Sequence, residues 1–247
     1  NGRLSFITKI QKKILINRSL KQLNEIGLNV SVSNKVRKEL HSYSNYEPKN
    51  EFILYNGVDR DKFYNTNSVK THDKYIVGSI ANFWPIKDHI SLIKAIELLV
   101  LEGITDIQLK LIGTGETLQF CKNYVKYHNL SKFVFFEKER SHDFINSFYN
   151  EIDLFVLSSY YEASACVLME AWATETPILS IKNQGISELI PEYEINNLLA
   201  DEKSPISLKE KILGEYHRKR SYPFDEKYDI KNTIKEFINH SFFKSDD

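Results

Sequence analysis

The chain has 247 residues, of which 42% are hydrophobic and 27% charged, and 33 basic against 33 acidic side chains give a formal net charge of zero. This balance excludes a general nucleic-acid-binding protein, which carries a basic excess. Its two cysteines, Cys121 and Cys166, are too few for a disulfide framework. No apolar run reaches the roughly 18 residues of a membrane-spanning helix. Because the chain starts at Asn1 without a signal-peptide pattern, we expect a cytoplasmic globular protein that lacks an upstream part.

The first 73 residues contain short predicted elements and then a polar connection. An amphipathic pattern predicts a helix over residues 4–26, with Gly27 as its stop. Three shorter elements follow, namely strands at 28–33 and 52–55 and a helix at 34–41. The turn signal Asn56-Gly57 and the polar stretch after it predict a linker over 56–73, which leaves 1–55 as a separate segment.

From residue 74 onward, apolar strand-like runs alternate with helical patterns. The runs are 75–80, 107–112, 133–136, 154–157 and 178–181, and the helical patterns are 88–101, 116–128, 141–150, 165–174, 207–217 and 225–240. Strands that are apolar throughout and alternate with helices predict an α/β fold with a doubly wound parallel sheet. We assign this domain to residues 74–220 and a terminal segment to 221–247. Ligands bind beyond the carboxyl ends of such strands, so the loops after Ile80, Ile112 and Leu157 should hold any site.

The loop after Ile80 places a lysine at the start of a helix. Lys87 precedes Asp88, the predicted N-cap residue. A lysine near the positive end of a helix can bind a phosphate as a point charge. A solvated lysine beside a helix cap explains the same pattern, and for this loop alone that interpretation is preferred.

The loop after Ile112 contains two glycines, Gly113 and Gly115, between a strand and a helix. Glycines let the backbone approach a ligand closely. A tight strand-to-helix turn explains them equally well. The pattern is not a dinucleotide fingerprint, because the third glycine expected in that motif is replaced by Leu118.

The loop after Leu157 runs through small residues, 163–166, into a helix. Small residues allow the backbone N–H groups at a helix start to reach an anion, which the helix dipole also favours. Glu162 lies before this helix and Glu170 inside it, and both carboxylates suit a polyhydroxylated ligand because they accept hydroxyl hydrogen bonds. Two glutamates that merely cap or solvate their helix explain the pattern as well.

At these three loops the sequence resembles the retaining glycosyltransferases of the GT-B fold and GT4 type, the group 1 family. The stretch from Glu162 to Glu170 matches the family's E-x7-E motif. The other matching segments are 77–88, like the donor-phosphate loop; 111–116, like the G-x-G-[PE] loop; and Ser33 with 56–59, like the end of the N-terminal domain and the linker. The resemblance implies a Rossmann-like C-terminal domain, a partial N-terminal domain segment, and a final helix that crosses back to that domain.

The resemblance also implies a role for each matching position. Glu162 and Lys87 would be the catalytic residues, with Glu162 on the sugar hydroxyls and Lys87 on the diphosphate, while Glu170 would hold the ribose. Further donor-binding positions would be Asn82, Gly113, Gly115, Ala163, Ser164, Ala165 and Cys166, and the base would lie beside Lys138, Glu139 and Arg140. The substrate would be a nucleotide-sugar such as a UDP- or GDP-sugar. None of the three loops contains a D-x-D metal motif, and we expect neither a metal nor a cofactor.

The implied reaction is transfer of a sugar to a saccharide or lipid-linked acceptor in cell-surface polysaccharide or glycolipid synthesis. Two alternatives stay open: a non-catalytic nucleotide-sugar-binding module and a GT-B nucleotide-sugar epimerase. Many members carry arginine where Asn82 stands, although this loop fits the family variant A-N-x-x-P-x-K-D. A GT-B enzyme needs two domains of roughly 150–200 residues each, and this chain is long enough for only one of them and the end of the other.

The predicted helix over 4–26 carries five basic side chains and one acidic one, and a sixth basic residue, Arg3, directly precedes it. Basic amphipathic helices can lie on anionic membranes. Peripheral contact with the inner face of the membrane is therefore one expectation. The other is that the helix packs its apolar stripe on the N-terminal domain and solvates its lysines.

Overall fold

A parallel sheet with helices on both faces forms the larger part of the chain in the computed structural model. The residues described are 2–67, 70, 72–137, 142–182, 188, 190, 194–218 and 223–240, with the backbone alone for 2–11, 142 and 143. The strands are β1 (Asn29–Ser31), β2 (Glu51–Ile53), β3 (Tyr75–Ile80), β4 (Ile107–Ile112), β5 (Val134–Glu137), β6 (Leu154–Val156), β7 (Ile178–Ile181) and β8 (Leu199–Ala200). The α-helices are α1 (Gly2–Glu25), α2 (Asn34–His41), α3 (His89–Leu101), α4 (Leu118–Tyr127), α5 (His142–Glu151), α6 (Cys166–Ala173), α7 (Ile195–Leu198), α8 (Pro205–Arg218) and α9 (Ile230–Ile238).

Strands β3 to β8 form one six-stranded sheet in the order β5-β4-β3-β6-β7-β8. Every neighbouring pair is parallel, and Val77 on β3 lies opposite Leu109 on β4 and Leu154 on β6. The chain therefore builds outward from β3 to one edge and then from β6 to the other. This is the strand order of doubly wound nucleotide-binding sheets, so the predicted fold class is confirmed.

Alternate residues of β3 supply two apolar cores. Val77 belongs to a cluster with buried side chains of α3, α4 and α8, whereas Ile76 belongs to a cluster with α5 and α6. Neighbouring strand residues point to opposite faces of a sheet. Both faces of the sheet are therefore covered, which explains why apolar and polar residues do not alternate along its strands.

The N-terminal segment forms its own small parallel sheet, in which β1 pairs with β2. Ser33 caps α2, because its Oγ accepts a hydrogen bond from the Val36 N–H at 3.2 Å. In α1, Leu20 is buried while Ile14 and Leu15 are exposed. Among the described residues, no helix is long and apolar enough to cross a membrane.

The predicted helix over 225–240 is divided in the structure. A short 3-10 helix, Glu226–Tyr228, precedes α9. The side chain of Asp225 accepts a hydrogen bond from the Lys227 N–H at 3.1 Å, and that of Asp229 accepts one from Lys231 at 2.8 Å. Each aspartate thus starts a helix of its own, which is why the single predicted helix was wrong.

The linker packs against this divided segment. The Val58 N–H donates to the Tyr228 carbonyl, and the Ile230 N–H donates to the Val58 carbonyl, both at 2.9 Å. A Cβ atom at Gly57 would lie 2.4 Å from the Thr233 Oγ1 and 2.6 Å from the Ile230 Cα. The backbone of α9 approaches so closely that only glycine fits at residue 57.

We expect Gly57→Ala to lower the free energy of unfolding by about 1–3 kcal/mol, because the added methyl group overpacks the contact with α9. Gly214 in α8 is the matched control, since a Cβ there meets nothing within 4 Å. Gly214→Ala should raise the free energy of unfolding by about 0.5–1 kcal/mol through helix propensity. Urea unfolding measures both. Equal effects of the two substitutions would contradict the close approach.

Candidate functional site

The strand order changes direction between β3 and β6. Doubly wound sheets bind ligands at the carboxyl edge beside this point, and we call the place between the two loops that follow β3 and β6 the crevice. The loop after β3 runs from Ala81 to Asp88, and the loop after β6 from Leu157 to Ala165. Two of the three loops predicted from the sequence therefore flank this crevice. The third, after β4, supports the first from its outer side.

The loop after β3 continues the pairing of β3 with β4. The Ala81 N–H donates to the Ile112 carbonyl at 3.1 Å, and the Phe83 N–H donates to the Thr114 carbonyl at 2.8 Å. The Phe83 carbonyl in turn accepts from the Thr117 N–H at 2.9 Å. These bonds fix the path of the loop up to Phe83.

Two glycines make this pairing possible. Gly113 and Gly115 adopt φ angles of 147° and 149°. A Cβ atom would lie 2.1 Å from the Ala81 carbonyl oxygen at Gly113, and 2.6 Å from the Phe83 carbonyl oxygen at Gly115. Of the two explanations open from the sequence, this geometry supports close packing of the turn. Donor binding by these glycines stays a prediction.

Lys87 and Glu162 meet across the crevice. The Lys87 Nζ lies 2.5 Å from the Glu162 Oε1, and the two side chains are 24% and 14% exposed. Two hydrogen bonds to backbone carbonyl groups of the first loop also join the two loops. The Ser158 Oγ donates to the Lys87 carbonyl at 2.8 Å, and the Tyr160 N–H donates to the Ile86 carbonyl at 3.1 Å. The structure thus brings together the two residues predicted as catalytic.

The amino end of α6 follows Glu162 closely in the sequence. Ala165 precedes the helix and provides no side-chain cap, while Ala163 and Ser164 are half-buried and Cys166 is exposed. The Asn56 Nδ2 donates to the Cys166 Sγ at 3.2 Å. An uncapped helix start with small residues before it is suited to an anion.

Glu170 is the fifth residue of α6 and has a partner that the sequence did not reveal. The Tyr149 hydroxyl donates to the Glu170 Oε2 at 2.9 Å. Tyr149 lies on α5 and is fully buried. Burial and the nearby Glu170 carboxylate raise the pKa of Tyr149 well above its ordinary value of 10. No local pattern pairs residues 149 and 170, because their elements meet only in the folded domain.

His89 is the first residue of α3 and follows Lys87 by two positions in the sequence. Its ring stacks on Phe83 with centroids 3.9 Å apart, and the residue is buried. Burial and the charge of Lys87 lower the pKa of His89 to about 4, so the imidazole is neutral at physiological pH. Asp88, the predicted N-cap, does precede α3 and adopts a left-handed backbone with φ 48°.

Helix α2 of the N-terminal segment contacts the loop after β6 and, at Glu188, the stretch that follows β7. The Tyr161 hydroxyl donates to the Glu39 Oε2 at 2.8 Å, and the Lys35 ammonium lies 4.6 Å from the Tyr161 ring centroid. The Glu188 carboxylate accepts from the Asn34 and Lys35 N–H groups at 2.9 and 2.6 Å. The residue next to Glu162 is therefore held by the N-terminal segment.

The remaining predicted positions have different outcomes. Asn82 lies in the loop after β3 and is exposed. Lys138, Glu139 and Arg140 fall outside the described residues. Within the described ranges, no group of three or more His, Cys, Asp or Glu side chains is arranged to hold a metal ion.

A polar cavity of about 890 Å³ opens at the opposite, amino edge of the sheet. Several of its charged side chains are occupied in structural contacts. The Lys70 Nζ donates to the Ile152 carbonyl and the Asp153 Oδ1, and the Asp153 Oδ2 accepts from the Ile76 N–H at 2.8 Å. This cavity is remote from the predicted site residues, so we do not regard it as the functional site.

Curated relatives of the chain are glycosyltransferases by name. MJ1178 of Methanocaldococcus jannaschii, an uncharacterized glycosyltransferase, is 31% identical over 162 residues, which are 65% of this chain and 42% of that protein. The putative glycosyltransferase EpsF of Bacillus subtilis is 28% identical over 188 residues, 72% of this chain and 47% of EpsF. The chain spans less than half the length of these two relatives.

Solved structures with similar folds include a TarM mutant of S. aureus in complex with UDP, Fondaparinux and alpha-GlcNAc-glycerol (TM-score 0.75, 21% identity, 92% of this chain and 45% of that one). Another is Anabaena HepE in complex with UDP and glucose (TM-score 0.77, 17% identity, 90% and 66%). A third is the C-terminal domain of a group 1 family protein from Francisella tularensis (TM-score 0.59, 22% identity, 76% and 100%). These likenesses show a Rossmann-like GT-B fold.

The family match agrees with the fold and with the loops at its carboxyl edge. It covers residues 60–221, which is more than half of the chain, and includes the loops that carry Lys87 and Glu162 and the helix that carries Glu170. The chain belongs to the family of glycosyl transferases group 1.

Proposed function

We propose that the chain is the donor-binding part of a retaining, GT4-type glycosyltransferase that moves a hexosyl or related group from a nucleotide-sugar to a saccharide or lipid-linked acceptor. The observation that carries the proposal is the meeting of Lys87 and Glu162 across the crevice between β3 and β6. A cation and a carboxylate at this point of a doubly wound sheet suit a ligand with both phosphate and hydroxyl groups.

Three subsites follow from the arrangement. Lys87 and the uncapped amino end of α6 would bind the diphosphate and stabilise its developing charge when it leaves, without a metal ion. Glu162 would accept hydrogen bonds from the sugar, and Glu170 from the ribose. Two of the structural neighbours were solved in complex with UDP, which supports a nucleotide-sugar as the donor. A product among cell-surface polysaccharides or glycolipids, and membrane contact through α1, rest on the resemblance and stay predictions.

The test of the proposal is calorimetric titration of the chain with UDP, GDP and ADP. We expect one of them to bind, and Glu170→Ala to weaken it at least tenfold, because a hydrogen bond to a charged group is worth about 1.5–3 kcal/mol. Glu151→Ala is the control, since that carboxylate pairs with Lys110 outside the crevice. Unchanged affinity in Glu170→Ala would reject the ribose subsite.

Incubation of nucleotide-sugars with a protein that contains both GT-B domains separates the candidate activities, because a donor-binding part alone would bind the donor without turnover. Transfer to an acceptor, with release of the nucleoside diphosphate, supports the proposed enzyme. Conversion of the sugar without an acceptor would indicate an epimerase. Binding without turnover would indicate a non-catalytic module.

We expect Lys87→Ala to weaken binding of the nucleoside diphosphate much more than binding of the bare nucleoside, because the ammonium group would contact phosphate. Lys110→Ala is the matched control, since Lys110 also forms an ion pair with a glutamate. Calorimetry with both ligands measures the difference. Equal losses for both ligands in Lys87→Ala would indicate a folding defect or a wrong site.

Glu162→Gln should have opposite effects on binding and transfer. Without donor, Glu162 neutralises Lys87, so a diphosphate must compete with the carboxylate for the ammonium group. Removing the carboxylate charge should therefore raise affinity for the nucleoside diphosphate about two- to fivefold, the size expected for a partly exposed ion pair. Sugar transfer should fall, because the amide has one oxygen fewer than the carboxylate to accept hydrogen bonds from the hydroxyl groups of the donor sugar. A large loss of nucleotide affinity would merge the role of Glu162 with that of Glu170.

A further inference from the structure

Tyr149 is a fully buried side chain whose one polar atom points at a predicted ligand-binding carboxylate. Its hydroxyl donates to the Glu170 Oε2 at 2.9 Å. It matches none of the motifs that identify the donor site. Its position at the end of α5 is nevertheless beside α6, which carries Glu170.

The ring of Tyr149 is held from several sides. Phe63 of the linker and Phe155 of β6 make edge contacts with it, at centroid distances of 6.0 and 5.3 Å. Its own carbonyl accepts a hydrogen bond from the Thr176 Oγ1 at 2.7 Å. The hydroxyl is therefore held at a fixed point of the domain, because both ring and backbone are constrained.

The direction of this hydrogen bond is also fixed. The raised pKa of Tyr149 keeps its proton in place throughout the physiological range, so the hydroxyl can only donate to the carboxylate. A glutamate side chain has several rotatable bonds and loses conformational freedom when a ligand orders it. A buried donor that orients the carboxylate beforehand reduces this loss.

We propose that Tyr149 is a positioning residue for ribose recognition: its buried hydroxyl orients the Glu170 carboxylate toward the ribose hydroxyls of the nucleotide. This inference rests on the proposed function, because it requires Glu170 to bind ribose. It adds a second residue to that subsite, one that acts on the ligand only through Glu170.

The test compares two ligands in Tyr149→Phe. The ligands are the tightest-binding nucleoside diphosphate and its 2′,3′-dideoxy analogue, which lacks the hydroxyls that Glu170 would bind. Phenylalanine keeps the packed ring and removes only the hydroxyl. We expect affinity for the ribose nucleotide to fall about two- to tenfold, the range of one hydrogen bond, and affinity for the dideoxy analogue to stay unchanged.

Tyr124→Phe is the matched control. The Tyr124 hydroxyl donates to the Glu97 Oε2 at 2.5 Å, which is the same chemistry between α4 and α3, away from the crevice. This variant should bind both nucleotides like the wild type. Thermal unfolding of both variants shows whether either has lost its fold.

A double substitution checks that Tyr149 acts through Glu170. In a Glu170→Gln background, Tyr149→Phe should cause a smaller loss of ribose-nucleotide affinity than in the wild type. Equal losses for the two ligands in Tyr149→Phe, no loss for either, or an undiminished loss in the Glu170→Gln background would overturn the positioning role. These results leave the proposed function intact. Absence of nucleotide binding by the wild type would overturn both.

Discussion

The approach of the Gly113–Gly115 turn to the carbonyl groups of Ala81 and Phe83 is the constraint on which the candidate site depends. Any side chain at these glycines would collide with that backbone. Because both glycines fit, the loop after β3 stays paired with the turn after β4 for several residues beyond the strand ends. A short 3-10 helix, Pro85–Lys87, then begins at a defined point, and Lys87 reaches the crevice.

The two glutamates of the site have different surroundings although they lie only eight residues apart. Glu162 pairs with the partly exposed ammonium group of Lys87 and could exchange this cation for a ligand. Glu170 faces a buried hydroxyl that cannot move away. A carboxylate paired with an exchangeable cation is suited to a group that enters and leaves during a reaction. A carboxylate that a buried hydroxyl group holds in place is suited to a chemical group that is the same in every ligand of a series.

Most of the sheet could be predicted from the sequence, because strands buried on both faces appear as continuous apolar runs. β3, β4 and β7 have the predicted bounds, β6 ends one residue earlier than predicted, and β5 is shifted by one residue at both ends. The two-residue strand β8 was not predicted, because Leu199–Ala200 is too short for a periodic signal. The break at Asp229 had a local signal, a capping aspartate inside a helical pattern, which the amphipathic spacing obscured.

The carboxyl-end rule and the motif spacing together located Lys87 and Glu162, since loops at one edge of a parallel sheet converge. The rule does not say which side chains support them. Tyr149, Phe63 and the contact of Glu39 with Tyr161 depend on how α5, the linker and α2 pack, and those distances are set only in the folded chain. From the sequence, a ligand and a tight turn explained the two glycines equally well, and in the folded chain they contact the neighbouring loop.

The stacking of His89 on Phe83 has a consequence for the behaviour of the protein in acid. The unfolded chain takes up a proton on this imidazole near pH 6.5, whereas the folded chain resists protonation until about pH 4. Between these values the unfolded state binds more protons, so the free energy of unfolding decreases as the pH falls through this interval. Burying a histidine at the start of α3 keeps the imidazole uncharged behind Lys87, and it makes this part of the domain acid-labile.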